Sequence, residues 1–164
     1  MIVIICGLPG VGKSTLANSL APSIEATILS SDKIRKELFF KPTYSRYERR
    51  LVYDVMILLA KYLHNSGINC ILDATFNREY SRVEVKESLR LEDKQFLVVE
   101  CVCPEELVIS RLKARKEDYS DAGISTYRRM KKIYEPVKVK HITINTITSP
   151  AENARIILNE IAKK

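Results

Sequence analysis

A chain of 164 residues, 46% hydrophobic and 29% charged, has the bulk expected of one globular domain spanning 1–164, with core enough to need no disulfide or metal staple. No apolar stretch reaches transmembrane length, and the apolar start is too short and lacks the basic flank of a secretory leader, so a cytoplasmic protein with no membrane partner is expected. The formal charge of +7 is local: seven cations face three carboxylates in 32–50 and six face one in 128–140, leaving the remainder slightly acidic.

Residues 2–6 are an apolar run suited to a buried parallel strand, and a helical pattern starts at 13. Between them stands Gly7-Leu8-Pro9-Gly10-Val11-Gly12-Lys13-Ser14-Thr15, which fits the spacing G-x-x-x-x-G-K-[ST]. Glycines at these places let the backbone curl so that successive N–H groups face phosphate oxygens, and the helix that follows offers its positive end. Residues 7–15 are therefore expected to hold ATP, with Lys13 on the β- and γ-phosphates and the Ser14 hydroxyl on Mg²⁺.

A second strand is expected at 26–30, and Ser30-Ser31-Asp32-Lys33-Ile34-Arg35 leads from it into a helix at 33–39. Asp32 and Arg35 fall one turn apart on one face. A carboxylate there can accept the proton of an acceptor hydroxyl, with the cation holding the acceptor, although Asp32 or a preceding serine could equally cap the helix. The 46–64 stretch has helical period with Gly67 as its stop, and a strand at 69–73 ends in Asp73. Asp73 is placed for the far side of a Mg²⁺ ion, or for a simple turn start; Asn77 and Arg78, just beyond, are candidates for acceptor contact.

Helical patterns at 78–92, 104–116, 125–135 and 150–162 alternate with strands at 95–102 and 141–147. The last helix opens on a capping box, Ser149-Pro150-Ala151-Glu152. Arg111 and Arg115 stand at the root of a polar segment, an arrangement suited to a small helical lid at about 111–127, or to surface ion pairs with Glu117 and Asp118. Cys6, Cys70, Cys101 and Cys103 lack paired metal spacing and read as small strand residues. His64 and His141 take no role, and the eight tyrosines and four phenylalanines are scattered rather than interleaved with basic residues in a stacking motif, so no single-strand-binding platform is expected. Regular alternation of strand and helix predicts an α/β P-loop NTPase fold, a five-stranded parallel sheet with helices on both faces, with ligands at the carboxyl ends of its strands.

These motifs resemble the small P-loop kinases that include 5′-hydroxyl polynucleotide kinase domains, zeta-toxin-like kinases, gluconate kinase and archaeal seryl-tRNA kinases. The resemblance rests on 7–15, on SSDKIRKEL at 30–38, on ILDATFNREYSR at 71–82, on Arg111 and Arg115 with SDA at 120–122, and on YEP at 134–136. It implies a 71–73 strand beside the P-loop strand, Asp32 as the base that activates an acceptor hydroxyl, Arg35 as an acceptor contact, and Arg111 and Arg115 acting on the donor phosphates. The acceptor implied is either a small molecule of sugar or sugar-acid type or a polynucleotide 5′-OH. A nucleotide-binding switch that hydrolyses ATP slowly is the alternative of another class.

Overall fold

The computed structural model describes residues 1–114 and 121–164. Five strands, β1 (Ile2–Cys6), β2 (Ala26–Ser30), β3 (Asn69–Asp73), β4 (Phe96–Val102) and β5 (His141–Asn145), form one parallel sheet in the order β2-β3-β1-β4-β5. Helices α1 (Lys13–Leu20), α2 (Ser31–Leu38), α3 (Arg46–Asn65), α4 (Glu79–Leu89), α5 (Glu105–Ala114), α6 (Ile124–Ile133) and α7 (Pro150–Ala162) cover it. The β1 strand lies in the middle, and all five of its residues are fully buried, as a central strand covered on both faces requires.

Alternation along β1 divides the core in two. Val3 and Ile5 join Leu16, Leu20, Val108 and Ile157 from α1, α5 and α7, whereas Ile2 and Ile4 pack with Met56, Ala60 and Val85 from α3 and α4. The four cysteines are free thiols, three of them buried. Burial pushes Cys6 up to about 11 and Cys101 up to about 12, so both stay protonated and inert at neutral pH.

Element boundaries differ from expectation by a few residues, each for a local reason. Helix α2 begins at Ser31, which puts Asp32 inside its first turn. Helix α4 stops at Leu89 because Arg90 turns left-handed, with φ 53°. The β4 strand is delayed to Phe96 by a 3₁₀ turn over Asp93–Gln95 that Glu92 and Gln95 cap reciprocally. The β5 strand ends at Asn145, after which the Thr146 amide still donates to the Val102 carbonyl while its side chain turns toward the P-loop. The capping box of α7 forms as expected between Ser149 and Glu152.

Register sets the site. Ile5 pairs with Asp73, and Ser30 pairs with the same aspartate from the other side. The loop after β1, the end of β3 and the start of α2 are thereby brought to one edge, where the chain's connections diverge to either side of β1.

Candidate active site

The part of the site expected to hold the donor phosphates is built from backbone. Gly7, Gly10 and Gly12 all have positive φ, and at Gly7 (φ 138°) a Cβ would stand 2.5 Å from the Cys101 carbonyl oxygen. Only glycine therefore lets the loop pass this close to β4. Lys13 Nζ donates to the Leu8 carbonyl at 3.0 Å, which folds the lysine back over its own loop, and the N-terminal end of α1 opens into the curl. Ser14 Oγ donates to Asp73 Oδ2 at 2.6 Å, and Asp73 is 4% exposed. The aspartate expected at the far side of a metal, or as a turn start, is thus in contact with the hydroxyl expected to ligate it.

Arg111, near the end of α5, reaches across to the loop after β5. Its guanidinium donates to Thr146 Oγ1 at 3.0 Å and to the Thr146 carbonyl at 2.8 Å, and Thr146 Oγ1 donates to the Val11 carbonyl at 2.6 Å. These bonds fasten P-loop, α5 and the β5–α7 loop together beside a cavity of about 470 Å³ lined by Gly12, Thr15, Arg111, Thr146, Thr148 and Asn153 among others. That volume is of ligand-binding size. Asn153 is buried at the start of α7, donating to the Asn145 and Thr148 carbonyls and accepting from Thr148 Oγ1. Thr146 and Asn153 carry no sequence motif, and their place is visible only once β5 is aligned beside β4.

The part of the site expected to meet an acceptor is built from side chains. Ser30 is the N-cap of α2 and makes no side-chain cap bond, so Asp32 is not the cap. Asp32 Oδ1 accepts from Arg35 NH1 at 3.3 Å, while Arg35 Nε donates to Glu48 Oε1 at 3.1 Å. Arg35 and Glu48 are 5% and 3% exposed, against about a third for the Asp32 side chain. Glu48 also accepts from the Thr43 amide and hydroxyl and from the Tyr44 amide. Burial alone would raise its pKa, but these bonds and the Arg35 charge outweigh burial and hold it below the usual carboxylate range. The Tyr44 ring lies 4.8 Å from the Arg35 guanidinium, with Tyr44 itself left-handed at φ 57°. Asp121 accepts from the Tyr44 hydroxyl and, at 3.1 Å, from Lys36. Glu48 is a functional candidate that sequence reading missed, because within a basic stretch it read as one more counter-charge.

Asn77 and Arg78 follow β3. Arg78 NH1 donates to Glu135 Oε1 at 2.7 Å, and the Asn77 carbonyl accepts from the Glu135 amide at 2.9 Å. Arg82, fully buried, adds bonds to Glu79 and to the carbonyls of Glu135 and Pro136. This clamp ties the segment after α6 to the start of α4. Arg115 lies outside the described residues, as does most of the polar segment expected to form the lid.

A family model described as an AAA domain (AAA_33) matches residues 2–137, which span the P-loop, α2, the end of β3 and the clamp at Glu135. The chain belongs to the AAA domain family. Among proteins similar to this AAA domain is an uncharacterized protein of Mycobacterium tuberculosis, 27% identical over 133 residues. The match covers 74% of this chain and 27% of that protein, so the chain spans about a quarter of its length. A probable adenylyl-sulfate kinase of Pyrococcus abyssi is 27% identical over 164 residues, covering 94% of this chain and 90% of that one. An APS kinase of Mycobacterium tuberculosis, solved with AMPPNP and APS, superposes with a TM-score of 0.76 at 19% identity over 99% of this chain and 97% of that one. A sugar kinase from Janibacter gives 0.76 at 14% identity, covering 96% and 92%, and a gluconokinase from Sinorhizobium meliloti 0.71 at 16%, covering 98% and 91%. At these identities the likeness is one of fold, and that fold is the P-loop kinase fold. Among the described residues no helix is long and apolar enough to cross a membrane.

Proposed function

We propose that this AAA domain transfers the γ-phosphoryl group of ATP to an alcohol hydroxyl. The observation that carries the reading is the meeting of two halves at one sheet edge: Ser14 on Asp73 at 2.6 Å, and Asp32 on Arg35 one strand away, aligned by the pairing of Ser30 with Asp73. The residues present suit Mg²⁺, which takes oxygen ligands, needs only one or two carboxylates, and fills its remaining positions with phosphate and water. Ser14 and Asp73 would hold it, and it would supply charge neutralisation between the β- and γ-phosphates.

In this reading the amides of residues 7–15 cradle the phosphates, and Lys13 exchanges its Leu8 carbonyl for phosphate oxygens. Arg111 borders the cavity in which the remainder of the nucleotide sits, and Asn77 and Arg78 stand at the acceptor side. The acceptor oxygen bonds to γ-phosphorus as the bond to the β,γ-bridging oxygen breaks and ADP departs. The acceptor's proton passes to the Asp32 carboxylate, and Arg35 holds the acceptor beside it. A buried Arg35–Glu48 pair that fixes Asp32 has a purpose in acceptor chemistry and none in slow hydrolysis.

The test is transfer of labelled γ-phosphate from Mg·ATP to a panel of 5′-OH oligonucleotides, sugars, sugar acids, nucleosides and adenylyl sulfate, with free phosphate as the control. Label on an acceptor, lost in Asp32→Asn, is the expected result. Label in free phosphate alone, indifferent to Asp32→Asn, would overturn the reading in favour of a switch ATPase.

A further inference from the structure

The end of the sheet opposite the P-loop carries a second cavity, of about 950 Å³, walled by the C-terminal halves of α4 and α7 and by the starts of β4 and β5. Its floor is apolar. Leu91, Phe96 and Leu97 are buried there, while Val83, Val139 and Ile142 are half-buried and leave surface for a ligand. The cavity beside the P-loop offers Thr15, Thr146, Thr148 and Asn153, whereas among the described residues no Ser, Thr, Asn, Gln or Tyr lines this one. A sugar hydroxyl or a base edge would meet no neutral hydrogen-bonding side chain here.

The rim is cationic. Lys86, Arg90, Lys94, Lys140, Lys163 and Lys164 stand on it against Glu87, Asp93 and Glu160. Lys86 pairs with Asp93, Lys163 with Glu160, and Lys94 with Glu92 outside the cavity. Arg90 and Lys140 are exposed and have no ion-pair partner among the described residues. Lys164 donates to the Asp93 carbonyl at 2.8 Å and to the Phe96 carbonyl, which fixes its ammonium beside the floor. Burial, and after it the charge of Lys140, lowers the Lys164 pKa, so these cations are close enough to repel one another. An incoming anion relieves that repulsion. The carboxyl ends of α4 and α7 draw cations of their own, but Lys94 and Lys140 stand on neither helix.

We propose that this cavity binds a free amphiphilic anion, a small molecule whose acyl or aryl body lies on the floor of Val83, Phe96 and Ile142 while its carboxylate or phosphate meets Arg90 and Lys140. The volume is of ligand-binding size. Inorganic phosphate would use the rim and leave the floor in water, and a neutral hydrocarbon would use the floor and leave the cations unanswered. About 20 Å of β4 separates the cavity from the P-loop end of the sheet, so the ligand and a nucleotide do not overlap. The proposal stands on the fold and is independent of the phosphotransferase reading above.

The experiment is a fluorescence titration of the full chain with anilinonaphthalene sulfonate, an aryl anion, with and without saturating Mg·ATP, followed by displacement with decyl phosphate below its micellar range. One saturable site that persists in Mg·ATP and is emptied by decyl phosphate is the expected result. Decanol and inorganic phosphate, each with half of the chemistry, should compete at least about tenfold more weakly. Lys140→Glu and Arg90→Glu change exposed side chains, so both should keep the wild-type unfolding midpoint while each weakens binding by about tenfold. Val83→Phe, which fills the floor without altering charge, should weaken it as well. No saturable site, a site emptied by Mg·ATP, decanol or inorganic phosphate competing as well as decyl phosphate, or binding indifferent to both charge reversals would each overturn the proposal. Adsorption of the chain to vesicles of phosphatidylcholine and phosphatidylglycerol, with no displacement by soluble decyl phosphate, would assign this face to a membrane surface and overturn it too.

Discussion

The two halves of the site are held by different means. The donor half is a contiguous loop whose geometry resides in its backbone: positive φ at Gly7, Gly10 and Gly12, no room for a Cβ at Gly7, and a helix end behind it. The acceptor half is assembled from side chains of α2, the 43–45 turn, α3 and Asp121, with a buried carboxylate, Glu48, at its centre. Phosphate is the same in every donor and can be held by amides that any sequence supplies once the curl is made. An acceptor must be distinguished from others, which takes particular side chains. In the proposed reading, the donor half needs only its backbone curl, whereas the acceptor half needs these particular side chains.

Two substitutions should separate the halves. Asp32→Asn keeps shape and removes the proton acceptor, so transfer should fall by about 10²–10⁴ while ATP affinity stays within twofold or so. Transfer rate and nucleotide binding, measured on the same preparation, check this. A parallel loss of ATP affinity would mean that Asp32 belongs to the donor half. Lys13→Ala should cost about 10²–10³ in turnover whatever the acceptor, because the lysine acts on phosphate charge. Unchanged turnover would remove the P-loop from the chemistry altogether.

The same contrast explains what was legible in the sequence. The donor half was readable because its residues are adjacent and its spacing is set by one loop. The placing of β3 beside β1 was implied by the family resemblance alone, and the strand that ends in Asp73 marked the aspartate as a candidate without foretelling its bond to Ser14 or the full strand order. Asp32 and Arg35 were readable because a helix brings residues three apart together. Glu48 was not, since its bond to Arg35 spans 13 positions and depends on how the 39–45 connection folds back. Thr146, which meets Val11 across 135 positions, and the Arg78–Glu135 pair were hidden for the same reason. Charge density alone also left open which cations are paired: Arg35 meets Glu48 inside the structure, and Arg50 meets Asp54 and Glu84 at the surface.

Glu48 offers the next largest effect, on stability. Glu48→Ala leaves a buried guanidinium and the Thr43 and Tyr44 amides without their acceptor, and should cost about 3 kcal/mol, or a Tm lower by roughly 6–12 °C at this chain length. The pH dependence has a definite sign. The folded carboxyl is held below its ordinary value, so its contribution is fully present above the ordinary carboxylate range and is lost as pH falls through the lowered folded value. The stability difference between wild type and Glu48→Gln should thus be largest at neutral pH and shrink on acidification. A difference that stays constant down to strongly acidic pH would place the stabilisation in packing rather than charge.

Arg50, two residues along α3, is the contrasting case. Its guanidinium pairs with Asp54 at 2.9 Å and with Glu84 at 2.7 Å, and the Glu84 bonds foremost raise its pKa, yet half of the side chain is in water. Solvent screens such a pair, and holding a long side chain in place costs rotamer freedom, so Arg50→Ala should change stability by under about 1 kcal/mol and the change should fade with added salt. Denaturant unfolding at low and high salt, run beside the Glu48 variants, measures both. A loss at Arg50 as large as at Glu48 and insensitive to salt would mean that burial does not decide which ion pairs on α3 matter, and the distinction between an internally braced acceptor half and a solvated helix surface would fail with it.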